Sequence, residues 1–280
     1  MRAYYGQGGY QVRFDWGPEG ADAVGPGAAF VAVVDVLSFT TTLTVAVERG
    51  IRVLPHRWRD ESAVAVARQH GAALAVGRSE AGPGEVSLSP ETVLRARGIE
   101  RLVLPSPNGS TVAARVAASG ATVVGVSLRN AAAAAAWVRS RAGAGVVAVI
   151  AAGERWNDGP LRPAAEDLWG AGAFIAALIG DHPCGTGHKP GDVRPSADGS
   201  GLSSAAALSP EARAALAAWQ DIAPSLPGAL ADCASGRELI GNGYPGDVAV
   251  AGERTDSTAV PVLVDGWFID ATRAGRREPD

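Results

Sequence analysis

Several short segments of the sequence bring acids, amides and hydroxyls together in a way that suits phosphoester chemistry. Asp35-Val36-Leu37-Ser38-Phe39-Thr40-Thr41-Thr42 follows an apolar run and joins one carboxylate to a series of hydroxyls. Pro105-Ser106-Pro107-Asn108-Gly109-Ser110-Thr111 supplies an amide, a glycine and further hydroxyls, and Ser127-Leu128-Arg129-Asn130 supplies a guanidinium and a second amide. Gly153-Glu154-Arg155, with Glu166-Asp167 a little further on, adds acids and another arginine. Hydroxyl, amide and free N–H groups at helix starts form a cradle for an oxyanion. Carboxylates beside such a cradle suit Mg²⁺, a hard cation that takes one or two of them and fills its shell with waters and substrate oxygens. Arg129 and Arg155 offer forked pairing to phosphate oxygens. Cleaving a phosphoester needs these parts: charge neutralisation on the phosphoryl oxygens and a positioned nucleophile.

Each residue also has a plain structural use. Asp35 can cap the turn that follows it, and Asn130 can cap a helix. Thr40, Thr41 and Thr42 suit a helix start, Asn108-Gly109 suits a turn, and Glu166 and Asp167 sit where a helix dipole favours acids. The weight therefore rests on their common placement after strands. Other phosphatase chemistries are absent. Leu37 stands where the second acid of an aspartyl-phosphate DxD pair would be, and neither Cys184 nor Cys233 has the arginine of a phosphocysteine loop. No GxxxxGK[ST] loop occurs, and His56, His70, His182 and His188 are too scattered for a zinc site.

The elements that must position these segments alternate between strand and helix. Tyr10 to Trp16 alternates in polarity and predicts a half-buried strand ended by Gly17-Pro18. Continuous apolar runs at Ala28–Leu37, Ala72–Val76, Arg101–Leu104, Ala121–Val126 and Val146–Ala151 predict strands covered on both faces, with Arg52–Pro55 another short strand. Helices are predicted at 41–49, at 60–70 with Asp60 as N-cap, at 110–119, at 130–141 capped by Asn130, and at 163–179 with Pro163 in the first turn. Residues 181–204 read as a connector, 208–220 and 228–233 as helices, and 247–250, 259–264 and 267–270 as strands, with Asp265-Gly266 a hairpin turn. The pattern predicts an α/β fold with three α/β/α layers and a mainly parallel, mixed sheet. Residues 1–180 would form the core, 181–207 a loop, and 208–280 the segment completing the same fold.

Composition narrows the partners. Of 280 residues 47% are hydrophobic and 19% charged, with a formal charge of −4, which is poor for a duplex-binding surface that must displace counterions. The cysteines form no CxxC pair, the first residues lack a signal-peptide apolar core, and no apolar run is long enough to span a membrane. These features predict a cytoplasmic protein acting on a small molecule, without nucleic-acid or membrane partners; a homodimer is compatible with them.

The motifs also occur in an order that resembles the 2-phosphosulfolactate phosphatase (ComB-like) family. Asp35-Val36-Leu37-Ser38-Phe39-Thr40-Thr41-Thr42 is similar to its DVLRATTT signature, Ser89-Pro90 to the end of its NSP motif, and Pro107-Asn108-Gly109-Ser110 to its TNGT motif. Ser127 to Ala131, Ala152-Gly153 with Glu166-Asp167, and Gly243 to Val248 with Asp256 and Val260-Pro261 resemble later motifs, so the likeness runs from about residue 28 to 270. It implies Mg²⁺-dependent hydrolysis of 2-phospho-3-sulfolactate to sulfolactate and phosphate, a step toward coenzyme M. It also implies Asp35 with Glu166 or Asp167 as metal-binding and catalytic residues. Thr40, Thr41, Asn108, Gly109, Ser110, Arg129 and Asn130 would then bind substrate. Ser38-Phe39 replaces the motif's Arg-Ala, Leu88 its Asn and Ala151 its Cys. The loss of that arginine extends the expected substrate to related small phosphorylated hydroxy acids, with a non-catalytic anion-binding protein of the same fold as the alternative.

Overall fold

The computed structural model describes residues 3–180, 207–253 and 257–273. In chain order the first half contains β1 (Val12–Trp16), α1 (Gly17–Val24), β2 (Ala28–Val34), α2 (Phe39–Glu48), β3 (Arg52–His56) and α3 (Glu61–His70). It continues with β4 (Ala73–Leu74), α4 (Pro90–Arg95), β5 (Arg101–Pro105), α5 (Gly109–Ala117), β6 (Thr122–Val126) and α6 (Ala131–Ala142). Then come β7 (Val146–Ala151), the short strands β8 (Glu154–Arg155) and β9 (Leu161–Arg162), and α7 (Ala165–Ile179). The last part comprises α8 (Pro210–Ile222), α9 (Leu226–Asp232), α10 (Ala234–Gly241), α11 (Pro245–Gly252), β10 (Pro261–Val264) and β11 (Trp267–Asp270).

The main sheet has the order β1-β7-β2-β6-β10-β11-β3-β5-β4. Neighbours run parallel except where β10 and β11 join, for that hairpin pairs antiparallel within itself and with β6 and β3 on either side. Side chains alternate between the faces of a strand. Accordingly Phe30, Ala32 and Val34 of β2 enter one core with α6, α7 and α8, while Val31 and Val33 enter the other with α1, α2 and α5. The result is the expected three-layer α/β/α arrangement. Both faces are buried, which is why β2 and β7 read as unbroken apolar runs. Asp60 caps α3 through bonds from the Ser62 and Ala63 N–H groups, and Gly71 ends it in the left-handed conformation at φ 56°.

Several predicted elements differ. Gly17-Pro18 does not only end β1 but opens α1, with Pro18 in its first turn. The predicted strand at 247–250 is helix α11: a short apolar run has no period of its own, and Pro245 at the start of this one begins a helix. The predicted strand at 72–76 shrinks to Ala73–Leu74. Asn130 precedes α6 without a side-chain cap, because its amide is used elsewhere, and Pro163 lies before α7 rather than inside it. Helices α4 and α10 have no counterpart among the predicted elements. The predicted connector at 181–204 and Asp256 lie outside the described residues. No helix among the described residues is long and apolar enough to cross a membrane.

Candidate active site

Asp35 leaves the end of β2 and is held by the turn that leads into α2. Thr40 Oγ1 accepts from Asp35 N (3.0 Å) and donates to Asp35 O (2.8 Å), while Thr41 Oγ1 donates to Val36 O (2.7 Å). Both threonines are fully buried. Their hydroxyls bond the backbone and shape the turn that carries Asp35. The Leu37–Ser38 peptide within it is cis.

The Asp35 carboxylate is fixed from two helix starts. Oδ1 accepts from Phe39 N (3.1 Å) in α2, and Oδ2 accepts from Gly109 N (2.9 Å), the first residue of α5. A Cβ on Gly109 would lie 2.6 Å from Asp35 Oδ2 and 2.4 Å from Phe39 Cδ1, so the approach requires glycine. Beside it, Asn108 Nδ2 donates to Glu154 Oε2 (2.9 Å). Ser110 Oγ turns back to Leu104 O (3.3 Å) and is buried.

Asp167, in the first turn of α7, accepts from Val36 N at one oxygen (2.7 Å) and from Gly153 N at the other (2.9 Å), bracing the chain after β2 to the chain after β7. Glu166, its neighbour, is also buried, and burial, then the Glu166 charge, push the Cys233 thiol up to about 12. Asp35, Glu154, Glu166 and Asp167 thus share one small region and repel one another. Burial raises Asp35 to about 6 against the pull of the Phe39 and Gly109 N–H groups; Glu166 adds to the rise and the Arg78 charge opposes it. Burial, then Asp35 and Glu166, push Glu154 up to about 7. Asp167 is raised by burial and then by Asp35 and Glu166. Buried carboxylates that interact this way are a common feature of sites built for acid–base chemistry or a cation.

Arg129 and Asn130 do not join this group. Arg129 is buried and pairs with Glu253 and with Glu48 (3.4 Å), the last residue of α2, about 15 Å along that helix from the end that holds Asp35. Asn130 accepts from Ser127 N (2.8 Å) and donates to Gly125 O (3.1 Å) and Ala259 O (3.3 Å), tying β6 to the chain before β10. Their side chains bond to neighbouring segments of the fold, away from the Asp35 carboxylate. Arg155 is exposed and donates to Gly159 O (2.9 Å).

Glu154 stands out in the sequence among the acids that follow β7, but nothing there assigns it a role. Arg78 gives no such signal. Its Nε donates to buried Asp247 Oδ2 (2.8 Å) and its Nη2 to Ser38 Oγ (2.6 Å), while Ser89 Oγ donates to the other oxygen of Asp247. Among the described residues no three His, Cys, Asp or Glu side chains form a ready-made metal cage. The donor chemistry nevertheless suits a hard divalent ion: clustered carboxylate oxygens whose mutual repulsion a cation would relieve.

The fold and site thus define a three-layer α/β/α protein with acids and helix starts gathered after β2, β5 and β7. The family model for 2-phosphosulpholactate phosphatase matches residues 21–266. The chain belongs to that family and is a phosphoric monoester hydrolase. No curated protein matches the sequence.

Proposed function

We propose that the protein is a Mg²⁺-dependent phosphatase that hydrolyses 2-phospho-3-sulfolactate, or a related small phosphorylated hydroxy acid, to the hydroxy acid and phosphate. The observation that carries this reading is the convergence of Asp35 and Glu154, from separate segments, on the helix start at Asn108-Gly109, with Glu166 near enough to raise both. Asp35 and Glu166 would hold the metal; Asp167, with each oxygen already bonded to a strand-end N–H, serves as the brace between them. When bound, the metal would supply Lewis-acid neutralisation of the phosphoryl oxygens.

The protein's own groups account for the rest. Glu154, raised to about 7, is suited to take a proton from the attacking water near neutral pH, and the Asn108 amide orients it. The first turn of α5 offers N–H groups beyond the one given to Asp35, which favour a phosphoryl oxygen. Water oxygen bonds to phosphorus as Glu154 takes its proton, the bond from phosphorus to the ester oxygen breaks, and that oxygen leaves as the hydroxyl of the product after gaining a proton from solvent.

Phosphate release from a panel of phosphorylated hydroxy acids, with Mg²⁺ and with EDTA, tests the proposal. Turnover that EDTA abolishes supports it. Anion binding without phosphate release from any ester would instead make the chain a binding protein of this fold.

A further inference from the structure

We infer that a cleft lined by Arg57, Trp58, Arg59 and Arg78 receives a second anionic group of the substrate, a sulfonate or carboxylate remote from the transferred phosphoryl. This rests on the phosphatase reading and deepens it. The cleft has a volume of about 330 Å³. That is the low end of the range for small-ligand sites. Arg57, Trp58 and Arg59 come from the loop between β3 and α3, and Pro105 to Pro107 form another wall. Pro107 leads directly into Asn108 and Gly109, so the cleft opens beside the carboxylates.

Its charge is markedly positive. Among the described residues neither Arg57 nor Arg59 pairs with a carboxylate; Arg57 lies over the Trp58 ring, 4.7 Å from its centre. The nearby Glu80 carboxylate accepts from Gly77 N (3.1 Å). Arg78 is anchored through Nε on Asp247 and through Nη2 on Ser38 and Leu88 O, which holds its guanidinium on the cleft wall, and the Asp35 carboxylate feels its charge. Arg78 also bonds Ser38, the position where the resembling motif has arginine, so a guanidinium arrives at that place from a different segment. An oxyanion that meets several guanidiniums beside an indole face gains forked, charge-assisted hydrogen bonds and direction.

Arg57 and Arg59 are exposed, so Arg57→Ala/Arg59→Ala should fold as the parent does. The double variant and an Arg57→Lys/Arg59→Lys control would be assayed with 2-phospho-3-sulfolactate and with p-nitrophenyl phosphate, and sulfolactate binding would be measured by calorimetry. The alanine variant should raise KM for the sulfonated ester and Kd for sulfolactate by about tenfold or more. It should leave kcat and the p-nitrophenyl phosphate rate unchanged, and the lysine pair should recover part of the loss. Equal losses on both esters, or unchanged KM and Kd, would overturn the cleft assignment while turnover upholds the phosphatase. Arginine-dependent sulfolactate binding by a protein that hydrolyses neither ester would uphold the cleft and overturn the phosphatase.

Discussion

Gly109 donates its backbone N–H to Asp35 Oδ2 at 2.9 Å, although 74 positions separate the two in the chain. This single bond sets the start of α5 against the end of β2 and aims the carboxylate. Gly109→Ala would place a methyl 2.6 Å from that oxygen and 2.4 Å from the Phe39 ring, and one of them must move. Overpacking of this kind costs about 1–3 kcal/mol. The variant should melt lower and lose kcat by tenfold or more. A variant with parental Tm and kcat would show that the contact does not hold Asp35 in its working position.

Glu154→Gln should remove the proton acceptor but keep the hydrogen-bonding shape beside Asn108. General-base catalysis contributes about 10²–10⁴-fold, so kcat should drop within that range while KM stays close to the parent's. In the parent, Glu154 is raised to about 7. It must lose its proton to act, so kcat/KM should fall as pH drops below neutrality, and the variant should lack that limb. A parental acid limb in Glu154→Gln would assign the base elsewhere.

Stability should depend on pH in an unusual direction. Asp35 at about 6 and Glu154 at about 7 both sit above their unfolded values, with Asp167 raised as well. The folded protein therefore holds more protons than the unfolded chain between about pH 4 and 7, and its stability declines as pH rises through that window. In EDTA, Tm should be higher at pH 5 than at pH 8. Mg²⁺, which favours the ionised carboxylates, should raise Tm more at pH 8 than at pH 5. A flat EDTA profile with equal Mg²⁺ shifts at both values would contradict the cluster's electrostatics.

Much of this site is legible before any coordinates, because strands buried on both faces leave a distinctive apolar run. Asp35 and Asn108-Gly109 stand out by following such runs. The hairpin at Asp265-Gly266 is equally clear, and both residues have positive φ (49° and 82°), as a tight two-residue turn requires. Its place in the middle of the sheet is not, since nothing local records that β10 meets β6 and β11 meets β3. The same limit hides the pair of Arg78 and Asp247, 169 positions apart. Arg129 follows a strand like the others, and nothing local records that it pairs with Glu48 and Glu253, far from it in the chain.

Asp167 and Glu166 are adjacent in the chain yet should respond differently to loss of charge. Asp167 accepts a backbone N–H at each oxygen, and an asparagine there can satisfy only one, turning its NH₂ toward the other donor. A lost hydrogen bond to a charged group costs about 1.5–3 kcal/mol, so Asp167→Asn should lower Tm and, by loosening the ends of β2 and β7, lower activity as well. Glu166 makes no such bridge, and Glu166→Gln also removes one of the charges that crowd Asp35. That variant should keep or gain Tm in EDTA but lose most of the stabilisation by Mg²⁺. Thermal melts of the two variants with and without Mg²⁺ separate the roles. If Asp167→Asn keeps its Tm and loses the Mg²⁺ response, while Glu166→Gln does the reverse, then the ligand and the brace have been exchanged and Asp167 holds the ion.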